Sequence, residues 1–216
     1  MTTEAGAKEP AHPAGDAGFF FLRECGDPIM AALVERIGTL DHASRRREHP
    51  EDAYGTLVRT IIGQQLSTKA ARTIYARLAA LFGDRPPTPE DLIAAEEGAL
   101  RGAGLSRQKI SYLRDLAARV HGGELELEAL HEMSDEEATE KITAVKGLGR
   151  WSADMFLMFH LRRPDVLPVG DLGVRRAVEK AYSLPTLPDE DALRALAGPW
   201  RPQRTLACLY LWKTLE

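Results

Sequence analysis

At 216 residues with a 44% hydrophobic composition, the chain is large enough for one domain or two helical lobes around a cleft, and 28 basic against 32 acidic side chains give a net charge of −4. No apolar stretch approaches the length of a membrane span, and residues 1–18 lack the basic-then-apolar order of a secretory signal, so a cytoplasmic protein with no membrane partner is expected. Cys25 and Cys208 read as thiols in a reducing compartment, and His121, His131 and His160 show no ligand spacing, which argues against a redox centre or a catalytic metal.

Residues 1–17, rich in Ala, Gly, Pro and acid, have little to bury and read as a flexible tail. Helices are expected over 28–40, 54–64 and 67–82, and a Pro-rich break at 85–89 ends that run. Over 106–120 the apolar positions Ile110, Leu113, Ala117 and Val120 recur at helical spacing, with Ser106 as N-cap. Ser134-Asp135-Glu136-Glu137 is a capping box that opens the next helix. That helix delivers the chain to Val145-Lys146-Gly147-Leu148-Gly149-Arg150-Trp151-Ser152-Ala153. Further helices fall over 151–161, 172–182, 190–197 and 201–215, with a second Pro-rich break at 185–188. No stretch alternates as a strand would, so the chain is expected to be all-α.

Gly147 and Gly149 can both take positive φ, letting the backbone reverse tightly and start a helix at Arg150. The new helix begins with bare N–H groups at the positive end of its dipole, and the missing side chains let a phosphate oxygen approach the main chain. Lys146 and Arg150 flank the turn with positive charge. The same residues also fit an ordinary helix–turn–helix corner with Gly as C-cap. A net negative charge is awkward for a DNA binder, yet acid concentrates over 124–140 and in the tail. Lys69, Arg72, Lys109, Lys146, Arg150, Arg175 and Arg176 lie in or beside the motifs, as a basic cleft on an acidic body or as a merely solvated face.

Four segments, in order, carry a family resemblance. They are Leu57-Val58-Arg59-Thr60-Ile61-Ile62-Gly63-Gln64-Gln65-Leu66-Ser67, then Gly104-Leu105-Ser106-Arg107-Gln108-Lys109, then the glycine hairpin, then Leu167-Pro168-Val169-Gly170-Asp171-Leu172-Gly173-Val174-Arg175-Arg176. From about Tyr54 to Trp212 the chain resembles the helix-hairpin-helix DNA glycosylase superfamily, most closely its 3-methyladenine glycosylase II branch, the AlkA type. The resemblance implies an all-helical, two-lobed fold with a central cleft, lacking the N-terminal β domain of the AlkA type. One lobe would span 54–163 and carry the hairpin; the other would combine 18–53 with 164–216 and carry Asp171. The four cysteines with which endonuclease III and MutY relatives hold an iron–sulfur cluster are not available here.

By the same resemblance, Asp171 would stabilise the positive charge that develops on the sugar as a base departs, and would orient or deprotonate the attacking water. A helix N-terminus favours its ionised form. Asp171 also reads as the N-cap of the helix over 172–182, and the two roles are compatible. Trp151, Met155 and Trp212 fall at base-pocket positions, where indoles attract the cationic ring of an alkylated purine; each Trp also reads as core. Met155 stands where the AlkA type has a tyrosine, which makes the pocket more apolar or roomier.

Gln64-Gln65-Leu66 supplies the loop that would fill the gap left by an extruded base, with either Gln65 or Leu66 as the wedge. Ser67, Lys69, Lys109, Lys146, Gly147, Leu148, Gly149, Arg150 and Ser152 are candidate DNA contacts. The carbonyls of Val145 and Leu148 would coordinate a structural monovalent cation. Trp151 occupies the position at which strand-cutting relatives carry a lysine, and an indole forms no Schiff base. The expectation is a monomeric, monofunctional glycosylase that excises 3-methyladenine, 7-methylguanine and similar bases from damaged double-stranded DNA without a cofactor. The alternatives are a non-catalytic helix-hairpin-helix DNA-binding module, a structural helical domain and a glycosylase for oxidised bases.

Overall fold

A computed structural model describes residues 14–40 and 52–216, which form helices and turns with no strand among them. The chain divides into two compact units, residues 48–170 and residues 1–47 together with 171–216.

The first of these units holds α3 (Ala53–Gly63), α4 (Thr68–Ala80), α5 (Pro89–Ala94), α6 (Glu97–Gly102), α7 (Arg107–His121), α8 (Asp135–Thr143) and α9 (Arg150–Phe159). On α3 the apolar pairs Leu57-Val58 and Ile61-Ile62 lie one turn apart, so one stripe is wholly buried. The amphipathic α7 packs against α3, α5 and α6, burying Ile110, Leu113, Leu116 and Ala117, and α8 packs on α9. The caps agree with the sequence: Ser106 accepts from Lys109 N at 3.2 Å, and Ser134 forms a reciprocal box with Glu137.

The six-residue helices α5 and α6 are too short to show a period in the sequence. The Pro-rich stretch expected only as a break also starts α5, with Thr88 as N-cap and Pro89 at the first helical position, where a missing N–H costs nothing.

The second unit contains α1 (Ala14–Glu24), α2 (Pro28–Ile37), α10 (Leu172–Ala181), α11 (Glu190–Leu196) and α12 (Arg204–Lys213). The expected tail over 1–17 lies outside the described residues up to 13, and 14–17 open α1 instead. The expected helix over 28–40 ends at Ile37, because Gly38 adopts φ +77° and its N–H closes on Val34. The central element is α12, buried from Thr205 to Leu211 and packed on α2 and α10. Asp27 caps α2 by accepting from Ile29 N and Met30 N, both at 3.0 Å. Its other oxygen accepts from Tyr182 Oη and from the indole of the wholly buried Trp200 at 2.8 Å, so one carboxylate ties α2 to the end of α10.

Candidate active site

The hairpin is built by the turn from α8 into α9. Leu148 N donates to Val145 O at 3.1 Å, and the Val145 and Leu148 side chains are buried, which anchors the turn from below. Gly147 takes φ +81°, and a Cβ placed there would lie 2.1 Å from the Tyr112 ring on α7. No other residue fits. Gly149 departs from the expected positive φ: it is extended at φ −102°, ψ −177°, as the N-cap of α9. A Cβ at Gly149 would meet nothing within 4 Å, so this glycine leaves the main chain open on its outer side.

Residues on α7 and α3 hold the turn in place. Asp115 Oδ2 accepts the main-chain N–H of Lys146 at 2.9 Å and Arg119 Nε at 3.0 Å, while Lys146 Nζ sits 3.6 Å from Oδ1. Burial opposes ionisation of Asp115, but the Lys146 N–H, Arg119 and the Lys146 charge together hold its carboxyl below the usual value. Gln108 Nε2 donates to Tyr112 Oη at 2.6 Å, and Gln64 Nε2 donates to Gly147 O at 2.7 Å. Tyr112 and Asp115 were not singled out from the sequence. Their three-residue spacing, which puts a ring and an acid on one face of α7, was the available signal. Both expected hairpin cations stand beside carboxylates, Lys146 by Asp115 and Arg150 by the buried Asp154 at 2.9 Å.

Between α3 and α4 the loop 64–67 is set by its backbone. Gln65 takes φ +58°, an uncommon state for a residue with a Cβ, and Leu66 N returns to Gly63 O at 3.1 Å. Gln65 is exposed and Leu66 retains 40% of its surface, so the loop presents both wedge candidates to solvent. Ser67 caps α4 by accepting from Ala70 N at 3.3 Å. Lys109, expected at a phosphate, donates instead to Ile62 O at 2.7 Å and Gln64 O at 2.8 Å, satisfying the last carbonyls of α3. Its burial lowers the ammonium pKa. Ser152, also expected at a phosphate, is buried at 4% exposure, because its place in the first turn of α9 faces the core.

Within this unit a cavity of about 1050 Å³ gathers Gln64, Gln65 and Leu66 with Trp151, Met155 and Phe159 of α9. Trp151 keeps 46% of its surface exposed, which removes its reading as core. A feature the sequence did not disclose shares this wall: the Arg59 guanidinium stands 3.7 Å from the centre of the Tyr75 ring.

In the other unit, Asp171 is the N-cap of α10, with φ −74° and ψ 116°. Its Oδ1 accepts from Val174 N at 2.7 Å and from Trp212 Nε1 at 3.0 Å, which fixes the carboxylate plane by two donors. Trp212, at the end of α12, is half-buried and directs its N–H to that oxygen, a role neither of its sequence readings contained. Gly173, in the sequence only one residue of a motif, leaves space that matters here: a Cβ on it would lie 3.0 Å from both Asp171 Oδ1 and Trp212 Nε1.

Comparison with known proteins matches residues 58–202 to the family model described as HhH-GPD superfamily base excision DNA repair protein. The DNA-3-methyladenine glycosylase 1 of Schizosaccharomyces pombe is 33% identical over 190 residues, covering 87% of this chain and 82% of the relative. The DNA-3-methyladenine glycosylase 2 of Escherichia coli is 28% identical over 203 residues, covering 90% and 68%. The solved structure of a Schizosaccharomyces pombe 3-methyladenine DNA glycosylase in complex with abasic DNA superposes with a TM-score of 0.81 at 32% identity, covering 92% of this chain and 96% of that one.

Proposed function

Because the chain belongs to the HhH-GPD superfamily of base excision DNA repair proteins, we propose that it excises alkylated bases, 3-methyladenine and 7-methylguanine among them, by hydrolysing the N-glycosidic bond. The observation that carries the mechanism is Asp171, a carboxylate held at a helix N-terminus by a main-chain and an indole N–H.

An alkylated purine in DNA already bears positive charge. As its bond to C1′ lengthens, the electron pair goes to the ring, which leaves neutral, and the charge passes to the sugar. Asp171 stabilises that charge and directs a water whose oxygen bonds to C1′ while its proton is released. The Trp151 indole and the Met155 thioether offer the departing base a stacking surface with little hydrogen-bond selection. Leu66 or Gln65 fills the vacated place in the duplex.

The hairpin supplies the grip on one strand. Gly149, open on its outer face, brings the first N–H groups of α9 within reach of a phosphate, with Lys146 and Arg150 alongside and Ser67 at the start of α4. A structural monovalent cation fits the Val145 and Leu148 carbonyls, because these neutral, hard oxygens suit such an ion. The Val145 carbonyl keeps a second lone pair beyond its bond from Leu148 N. Bound there, the ion would add positive charge towards the phosphate.

With Trp151 at the position after Arg150, no amine stands where a Schiff base would form, so the product is an uncleaved abasic site. The enzyme acts as a monomer on damaged double-stranded DNA in the cytoplasm; among the described residues no helix is long and apolar enough to cross a membrane. Chromatography of the bases freed from a methylated duplex and from a duplex carrying 8-oxoguanine tests this reading. Free 3-methyladenine supports it, and release of 8-oxoguanine alone, or duplex binding without any base release, overturns it.

A further inference from the structure

We propose that Gly173 and Trp212 are positioning residues that set the orientation of Asp171, an inference that rests on Asp171 being the carboxylate that acts on the sugar. A capping Asp held by one main-chain N–H is fixed in place but not in the tilt of its plane. Here a second donor comes from the far end of α12, 41 residues along the chain. Trp212 Nε1 meets the same oxygen, Oδ1, that takes Val174 N, at 3.0 and 2.7 Å. With both donors on one oxygen, the plane of the carboxylate is defined.

That arrangement depends on a space. Gly173 lies on the first turn of α10, and an added Cβ would stand 3.0 Å from Oδ1, 3.0 Å from Nε1 and 3.2 Å from Cδ1 of the indole. These are the atoms of the hydrogen bond itself. Oδ1 cannot retreat without lengthening its bond to Val174 N, so a side chain at 173 must press the indole back by a few tenths of an ångström and lengthen the bond between ring and carboxylate. The residue type at 173 thus sets how closely the indole approaches the carboxylate. The glycine is not required by its backbone, since it takes a helical conformation and not a positive φ. The room it leaves is what lets the indole come so near.

The test is single-turnover excision from methylated duplex by Trp212→Phe, Gly173→Ala and the double variant, with duplex affinity and melting temperature measured beside it. Phe keeps an aromatic face but has no N–H and no atom where Nε1 stood. Each single change is expected to slow excision about ten- to a hundredfold with duplex affinity retained, as for loss of a charge-assisted hydrogen bond at the reacting centre. The double variant is expected to be no slower than Trp212→Phe alone, because no indole N–H is left to displace. Trp212→Phe working at the wild-type rate overturns the proposal. So do independent, multiplying effects of the two changes, or a rate loss matched by an equal affinity loss, which is the behaviour of a stacking residue. If Gly173→Ala melts before it can be assayed, Trp212→Phe carries the test by itself. Asp171→Asn separates the two levels. Inert Asp171→Asn beside fully active Trp212→Phe defeats this inference only, whereas active Asp171→Asn defeats the reading beneath it.

Discussion

The carboxylate of Asp115 accepts the main-chain N–H of Lys146 at 2.9 Å, so the turn proposed to meet a phosphate is fastened from behind by an acid on α7. An acid so near a proposed DNA contact is explained by what it holds. It takes up a donor that the turn would otherwise leave without a partner, and its charge sits against Arg119 on the protein side.

Asp115→Ala is expected to lower stability by about 1 kcal/mol, the usual worth of a part-exposed hydrogen-bonded carboxylate, and to weaken duplex binding by loosening the hairpin. Thermal melting and fluorescence anisotropy with a duplex read the two effects. The pH dependence follows from the lowered carboxyl pKa. The stabilisation is complete above the unfolded value of about 3.9 and is lost as pH falls through the lower folded value. Acid unfolding of the wild type therefore contains a component that Asp115→Ala lacks.

The two hairpin glycines are expected to fail differently. Gly147→Ala forces a Cβ into the Tyr112 ring at φ +81°, and should destabilise the protein by about 2 kcal/mol or more as well as reduce DNA affinity. Gly149→Ala has room and an ordinary φ, so melting should hold within about 1 kcal/mol while duplex affinity falls, because the methyl group stands where a phosphate would approach. Equal affinity for Gly149→Ala and wild type would remove the phosphate from that face.

Half-buried His160 stacks on Phe156 at 4.6 Å, and its Nδ1 lies 3.3 Å from Thr56 Oγ1. Burial, with His131 nearby, lowers its pKa, and Asp52 and Glu128 only partly oppose this. The folded state thus prefers the neutral ring. Stability is full above the unfolded value of about 6.5 and declines as pH drops through the folded value. Melting at neutral pH and at mildly acidic pH should show a loss in wild type that is smaller in His160→Phe.

Leu66→Ala should leave melting unchanged, since the side chain is 40% exposed, but should slow excision from duplex more than from single-stranded methylated DNA, which has no partner strand to resist extrusion. Gln65→Gly, which also relieves a positive φ, is the control that assigns the wedge. Equal slowing on both substrates by both variants would remove the wedge from this loop.

Long periodic helices and their caps were legible because period and cap chemistry are local: Ser106, the Ser134–Glu137 box and Asp171 as a cap were all read from neighbours in sequence. What escaped depends on contacts across the fold. Lys109 reads as a phosphate ligand until the end of α3 is seen to need its donors, and Ser152 reads as surface until α9 turns it inward. The glycine pair is equivalent in the sequence; the Tyr112 ring and a φ of +81° against −102° distinguish Gly147 from Gly149. Trp212 and Asp171 are 41 residues apart, and nothing local in either segment announces that indole and carboxylate meet.

The proposed catalysis depends on the charge of Asp171, and replacing that carboxylate by its amide changes little else. Chromatography of bases released from methylated duplex by Asp171→Asn, beside wild type, is the most direct measurement. The variant should bind duplex as wild type does and free 3-methyladenine about a hundred- to a thousandfold more slowly. Release at the wild-type rate would contradict the account.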